Sequence, residues 1–214
     1  MSINFDWQQF QSSPIRLYLT REFVDRCLAL CFNTRSLLAE CSSEAFGCIS
    51  PESNIATVSR LSEMNLCSDK GAGNTDATKH YSSSLEDPRL RRQFNEFWAT
   101  AKKGDFMLDV HTHMAGCRMR DAQSYDDYWK LSAADVSGFI GCTKILESKG
   151  VLFFGAMVYV DEHGNCGLVV THFDTRAKRI MKVDKLYLIS DKQIPTLLTG
   201  QKGVNIGNCN DIIH

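Results

Sequence analysis

The chain has 214 residues, 43% of them hydrophobic and 10% aromatic, enough for one domain with a substantial core. Its 24 lysines and arginines nearly cancel 25 aspartates and glutamates, so no excess charge recommends nucleic acid or an anionic membrane as the main partner. No run approaches the roughly 18 apolar residues that span a bilayer, and the N-terminal MSINFDWQQFQSSPIRLYL lacks the basic segment and apolar stretch of a secretory signal, so a soluble cytoplasmic protein is expected.

Residues 15–19, IRLYL, alternate as an edge strand would. A helix follows, with Phe23, Cys27, Leu28, Leu30 and Cys31 at helical spacing, Thr20 as N-cap and Glu22 in the first turn. EAFGCIS, Glu44 to Ser50, and IATVSRL, Ile55 to Leu61, read as antiparallel strands. Residues 62–84 are polar and aperiodic, which predicts a surface loop. DPRLRRQFNEFWATAKKG predicts a helix with Asp87 as N-cap and Pro88 at its first position; Leu90, Phe94, Phe97 and Trp98 share a face, and Gly104 supplies a C′ residue. DFMLDV predicts a strand ending at His111. After a charged, irregular stretch, LSAADVSGFIGCTKILESKG predicts another helix, and VLFFGAMVYV and CGLVVTHF form a hairpin around DEHGN. KVDKLYLIS adds a strand and KQIPTLLTG a short helix or turn. Strands, helices and hairpins in this mixture predict an α+β, or mixed α/β, fold without internal repeats.

Nine cysteines, at positions 27, 31, 41, 48, 67, 117, 142, 166 and 209, are odd in number and include no C-x-x-C pair. That disfavours a disulfide framework or a zinc ribbon, and buried small hydrophobes are the expected role. Cys117 stands apart because it lies close to two histidines.

Those histidines sit in LDVHTHMAGC, Leu108 to Cys117. On a strand, residues i and i+2 share a face, so His111 and His113 present both imidazoles to one point while Thr112 faces away. A catalytic metal site needs a third protein ligand. LSAADVSGFI offers Ser132 and Asp135 at the head of a helix. By itself S-x-x-D is a capping box; facing a strand end, it can also aim an aspartate at a cation and a serine at an oxyanion.

VHTHM followed by LSAAD resembles the metal signature of the JAMM (MPN+) metalloproteases, H-x-H followed by S-x-x-D. An upstream glutamate before a small residue and a glycine completes that pattern, and EAFG, Glu44 to Gly47, has its form; Glu40 lies nearby without the A-x-G. The resemblance covers residues 15–170. It implies a JAMM/MPN, cytidine-deaminase-like architecture with a largely antiparallel mixed sheet flanked by helices. It further implies Zn²⁺ held by His111, His113 and Asp135, proton transfer by Glu44, and Ser132 donating to the oxyanion. Hydrolysis would fall at peptide or isopeptide bonds after the C-terminus of a ubiquitin-like protein, in deconjugation or precursor processing. The implied partners are that protein or its conjugates and the activating or conjugating enzymes of the same system. The compact form resembles the prokaryotic branch, whose members serve antiviral defence, sulfur-carrier processing or phage tails.

Met114 stands where the family commonly has proline, and the spacer to Ser132 is long, which predicts an inserted loop at about 114–131. Within it Ser124 to Asp127 also satisfies S-x-x-D. Asp135 is preferred because SAADV opens a helix, whereas SYDDYW is crowded by aromatics. The whole of 1–214 is expected to be one such domain, with an unassigned C-terminal extension from about 171. Two other functions fit parts of the pattern: a metal-free scaffold of the same fold, and a D-x-H-x-H amidohydrolase or phosphoesterase using Asp109, His111 and His113 at the start of a barrel.

Overall fold

The computed structural model describes residues 9–37, 40–50, 52–62, 65–66, 88–114, 129–189, 194–200 and 203–212. In chain order the elements are β1 (Gln11–Ser12), β2 (Arg16–Thr20), α1 (Arg21–Leu37), β3 (Cys41–Ser50), β4 (Ile55–Leu61), β5 (Asn65–Leu66) and α2 (Pro88–Thr100). There follow β6 (Asp105–Met114), α3 (Ala133–Glu147), β7 (Leu152–Val160), β8 (Asn165–Asp174), β9 (Arg179–Lys182), β10 (Lys185–Ile189), β11 (Pro195–Leu197), β12 (Val204–Asn208) and a 3-10 turn, Cys209–Ile212. The twelve strands of the described residues join one sheet in the order β1-β9-β8-β7-β6-β3-β4-β2-β10-β11, with β12 on β8 and β5 on β3. Pairing is mostly antiparallel; β6–β7, β2–β4, β2–β10 and β1–β9 are parallel.

Each face of the sheet is covered by helix. Phe23, Cys27, Leu30 and Cys31 of α1 pack with Leu108, Val110, Phe154 and Val158 on one side. On the other, Phe97 of α2 and Phe139 and Leu146 of α3 pack with Phe46, Met107, Phe153 and Met157. The alternation along β6 and β7 therefore divides two cores, which is why β7 is apolar nearly throughout and β6 is apolar on both faces from Phe106 to Leu108. The mixed α+β class is as expected, and Thr20 caps α1 by accepting the Phe23 N–H at 3.2 Å.

Several expectations are corrected. Strand β2 is not an edge: it lies between β4 and β10, because a strand contributed from far downstream covers its outer side. Residues 195–197, expected in a short helix or turn, form β11 antiparallel to β10. The region beyond residue 171 is likewise built into the sheet through β9, β10, β11 and β12. Helix α2 ends at Thr100, whose hydroxyl donates to the Glu96 and Phe97 carbonyls. Gly104 has the anticipated positive φ of 95°, but it serves the turn into β6 rather than a helix cap. Strand β6 does not stop at His111, since its parallel ladder with β7 continues to Met114 opposite Val160. Asp87, and residues 67–84 of the expected loop, lie outside the described residues.

Helix α3 approaches the sheet closely at one point. Gly155 of β7 lies beneath the Phe139 ring, and a Cβ there would come within 2.3 Å of it. Gly155→Ala is expected to cost about 1–3 kcal/mol through overpacking, measured by urea unfolding. Since α3 would be pushed outward, a stability unchanged within error would show that this contact does not hold the helix down.

Candidate metal centre

Strand β6 and its parallel neighbour β7 must be joined by a crossover, and α3 provides it. In such a unit the helix runs back antiparallel to the strands, so its N-terminus stands at the carboxyl end of the first strand, where ligand sites of open α/β sheets are found. His111 and His113 occupy that end of β6, and Asp135 lies in the first turn of α3. All three side chains are buried.

The helix end also orients the carboxylate. Ser132 has extended backbone angles, φ −77° and ψ 163°, and its side chain accepts the Asp135 N–H at 3.1 Å. Asp135 Oδ2 accepts the Ser132 N–H at 2.7 Å, completing a capping box. From this anchored position Oδ1 lies 3.4 Å from His111 Nε2, and Oδ2 lies 3.6 Å from His113 Nε2. Tetrahedral bonds of about 2.0–2.1 Å place neighbouring ligand atoms about 3.3 Å apart, so the observed spacing suits a metal between them. Among the described residues this is the group whose ligand atoms all lie within 4.8 Å of one another. A buried His111–His113–Asp135 group could thus bind a metal ion.

The electrostatics agree. Burial works against a charged imidazole at His111, but the Asp135 carboxylate, with Glu40 and Asp109, outweighs it and raises the pKa to about 9. Burial would raise Asp135, yet His111, His113 and Ser132 hold its carboxyl well below the usual range. A cation held by the three side chains would compete with the proton on His111.

A further carboxylate stands beside the group. Glu40 Oε1 is 3.9 Å from His113 Nε2, and burial pushes its pKa up to about 8, His111 opposing and Asp135 adding to the rise. Its position is set by the residue between the histidines. Thr112 points to the opposite face, where its Oγ1 accepts the Cys41 N–H at 2.8 Å and lies 2.5 Å from Thr34 Oγ1 on α1. Pinning Cys41 fixes the chain immediately after Glu40.

Glu44 is placed differently. It sits on β3 opposite Asp109, while Ser42 opposes His111. Its Oε2 accepts the Ser62 hydroxyl at 2.7 Å, and its backbone N–H donates to Ser62 Oγ at 2.8 Å. The glycine of the A-x-G has its own packing reason: a Cβ at Gly47 would come within 2.0 Å of the Thr57 carbonyl and 2.5 Å of the Phe106 ring, at a bulge in β3. Glu40, just before β3, and Ser42 and Glu44 within it stand two residues apart and fall on the face that carries His111.

Asp127, Cys117 and most of the inserted loop, residues 115–128, lie outside the described residues. The mostly antiparallel sheet is unlike the all-parallel barrel of the D-x-H-x-H enzymes. No helix among the described residues is long and apolar enough to cross a membrane. No family model and no curated protein matches this chain.

Purified protein is expected to bind one divalent ion, and His113→Ala or Asp135→Asn to reduce that content to near zero, read by elemental analysis. Neutral imidazole is the metal-binding form, so affinity should rise with pH up to about 9, where His111 loses its proton. Calorimetric titrations in buffers of different ionisation enthalpy at neutral pH should show about one proton released per ion bound.

Proposed function

We propose that this chain is a zinc-dependent peptidase or isopeptidase of JAMM architecture, acting on the bond after the C-terminus of a ubiquitin-like protein. The observation that carries the reading is the convergence of His111, His113 and Asp135, named by two separated motifs, into one buried group with ligand-like spacing. Two imidazoles and a carboxylate form a ligand set typical of hydrolytic zinc. When bound, the ion supplies Lewis acidity toward a carbonyl and acidifies a water.

The surrounding residues divide the remaining work. Glu40 is near enough to exchange a proton at Oε1 with an attacking water and the leaving amine; with burial raising its pKa to about 8, it accepts that proton as pH approaches this value. Glu44, the candidate named by the A-x-G, has one carboxylate oxygen engaged by Ser62, which suits a structural role in joining β3 to the end of β4. Ser132 Oγ accepts from the Asp135 N–H, leaving its own hydroxyl proton to donate to a developing oxyanion. The histidines, the aspartate and both glutamates are all present, which favours an enzyme over a metal-free scaffold. Assignment of the substrate to ubiquitin-like proteins or their conjugates, and of activating or conjugating enzymes as partners, rests on the motif resemblance.

Glu40→Gln and Glu44→Gln divide the possibilities when assayed on a ubiquitin-like fusion cleaved by the wild type. Glu40→Gln should retain the metal and lose roughly 10²–10⁴-fold in kcat, whereas Glu44→Gln should lose less. The reverse pattern would move proton transfer to Glu44. Cleavage that survives His113→Ala would end the metallopeptidase reading altogether.

A further inference from the structure

A different histidine, away from the metal centre, fastens the segment before β2 to the sheet. Gln11 and Ser12 of β1 pair with Met181 and Lys182 of β9, and the Ser13 N–H donates to the Lys182 carbonyl at 2.6 Å. Strand β1 is two residues long, and both are exposed. A strand so short has little packing of its own, so the segment belongs to the least stable part of the sheet. One buried contact secures it. Ser13 Oγ lies 2.8 Å from His172 Nε2, with Ser13 2% and His172 9% exposed. His172 stands on β8 between Phe154 of β7 and Met181 of β9, and the Phe154 ring meets it edge-on with centroids 5.7 Å apart.

Ser13 Oγ also accepts the Ile15 N–H at 3.2 Å. The arrangement that uses the hydroxyl proton as well has Ser13 donating to Nε2, which accepts only while the ring is neutral. A protonated ring donates from both nitrogens, so Ser13 would face two donors and its own proton would lose this acceptor. The charges around His172 do little to offset that. Asp174, two residues along β8 on the same face, spends Oδ1 on the Arg176 and Ala177 N–H groups, 2.9 Å each, and the cation opposite it on β9 is Arg179. Lys182 opposes Thr171, on the other face, and pairs with Asp184. Lys185 is exposed on β10 opposite Arg16, whose guanidinium donates to the Ser53 carbonyl at 2.9 Å. On β7, the residues beside His172 are Phe154 and Gly155, neither of them ionisable. Burial accordingly holds His172 below the ordinary histidine range, with Asp174 opposing the shift.

We propose that the Ser13–His172 pair is an acid-sensitive latch: protonation of His172 releases residues 9–13 from the edge of β9, and neutral pH reseats them. A histidine whose value is lower in the closed form takes up its proton more readily once the segment has opened and the ring meets water. The latch is therefore fully effective above about 6.5, the ordinary histidine value, and weakens as pH falls below it. Strand β1 ends the strand order, so its departure uncovers the outer edge of β9, whose backbone groups could then pair with another strand. Phe10, which packs against the core beneath α2 and α3, would leave with it.

Hydrogen–deuterium exchange of the full chain, followed by mass spectrometry on peptides spanning residues 9–16 and corrected for the intrinsic pH dependence of exchange, tests the latch. Protection of these peptides is expected to fall up to about tenfold from about pH 7.5 to about 5.5, one unit below the ordinary histidine value, and by more than that of peptides from β7. His172→Gln, which does not titrate and still offers Ser13 an acceptor, should abolish the pH dependence. Ser13→Ala should leave the segment poorly protected at both pH values. Because either variant could be too unstable to compare, the His172 ring is also titrated by NMR in the wild type, where the midpoint should lie below the ordinary value. Equal protection of wild type at the two pH values, a pH dependence that survives His172→Gln, or a ring that titrates at or above the ordinary value would each overturn the proposal.

Discussion

One anchored carboxylate governs the candidate site. Asp135 spends an oxygen on the Ser132 N–H, and the Ser132 side chain accepts the Asp135 N–H, so the first turn of α3 and the aspartate are fixed by the same pair of hydrogen bonds. A capping interaction of this kind contributes about 0.5–2 kcal/mol to the helix. Here it has a second consequence. A buried aspartate on a freely rotating side chain would lose rotamer entropy on meeting a cation, whereas this one is already oriented, with an oxygen toward each imidazole. The capping and ligating readings of S-x-x-D are therefore not alternatives, since the cap orients the ligand.

The position of that helix end depends in turn on the parallel pairing of β6 with β7. An antiparallel pairing could be closed by a tight turn; a parallel one requires the chain to travel back along the sheet before re-entering it. The α3 crossover does so, and Gly155 lets Phe139 settle against β7 at the helix's midpoint. Phe139 also stands 6.0 Å from the His111 ring, so the side chain that seats the helix borders the imidazole as well. Packing and site geometry share one contact, and a displacement of the helix would carry Asp135 with it.

Much of this was legible from local patterns. The two-residue spacing of His111 and His113 placed both rings on one face, and the capping signature located the start of α3, because each depends on a few neighbouring residues. What was not legible depends on pairing between distant segments. Nothing in IRLYL announces that β10 will cover β2, and the end of β6 was misplaced because its last residues are held by β7 rather than by their own composition. Glu40 illustrates the same limit. Gly47 of the A-x-G is required by the Thr57 carbonyl and the Phe106 ring, whereas the nearness of Glu40 to His113 depends on the Cys41 N–H donating to Thr112 across the strands.

Thr112 then has a role that its small size conceals. Being between the histidines, it points away from them, and its hydroxyl engages the Cys41 backbone and Thr34 of α1. A buried hydroxyl is expensive without partners, and valine would fill the same space with no polar demand. The polar residue is explained by what it positions: through Cys41 it sets Glu40 beside His113, and through Thr34 it joins the histidine strand to the helix that carries Cys27 and Cys31. The histidines and the core under α1 lie on opposite faces of one sheet, and Thr112 is a polar link between the strand of the first and the helix of the second.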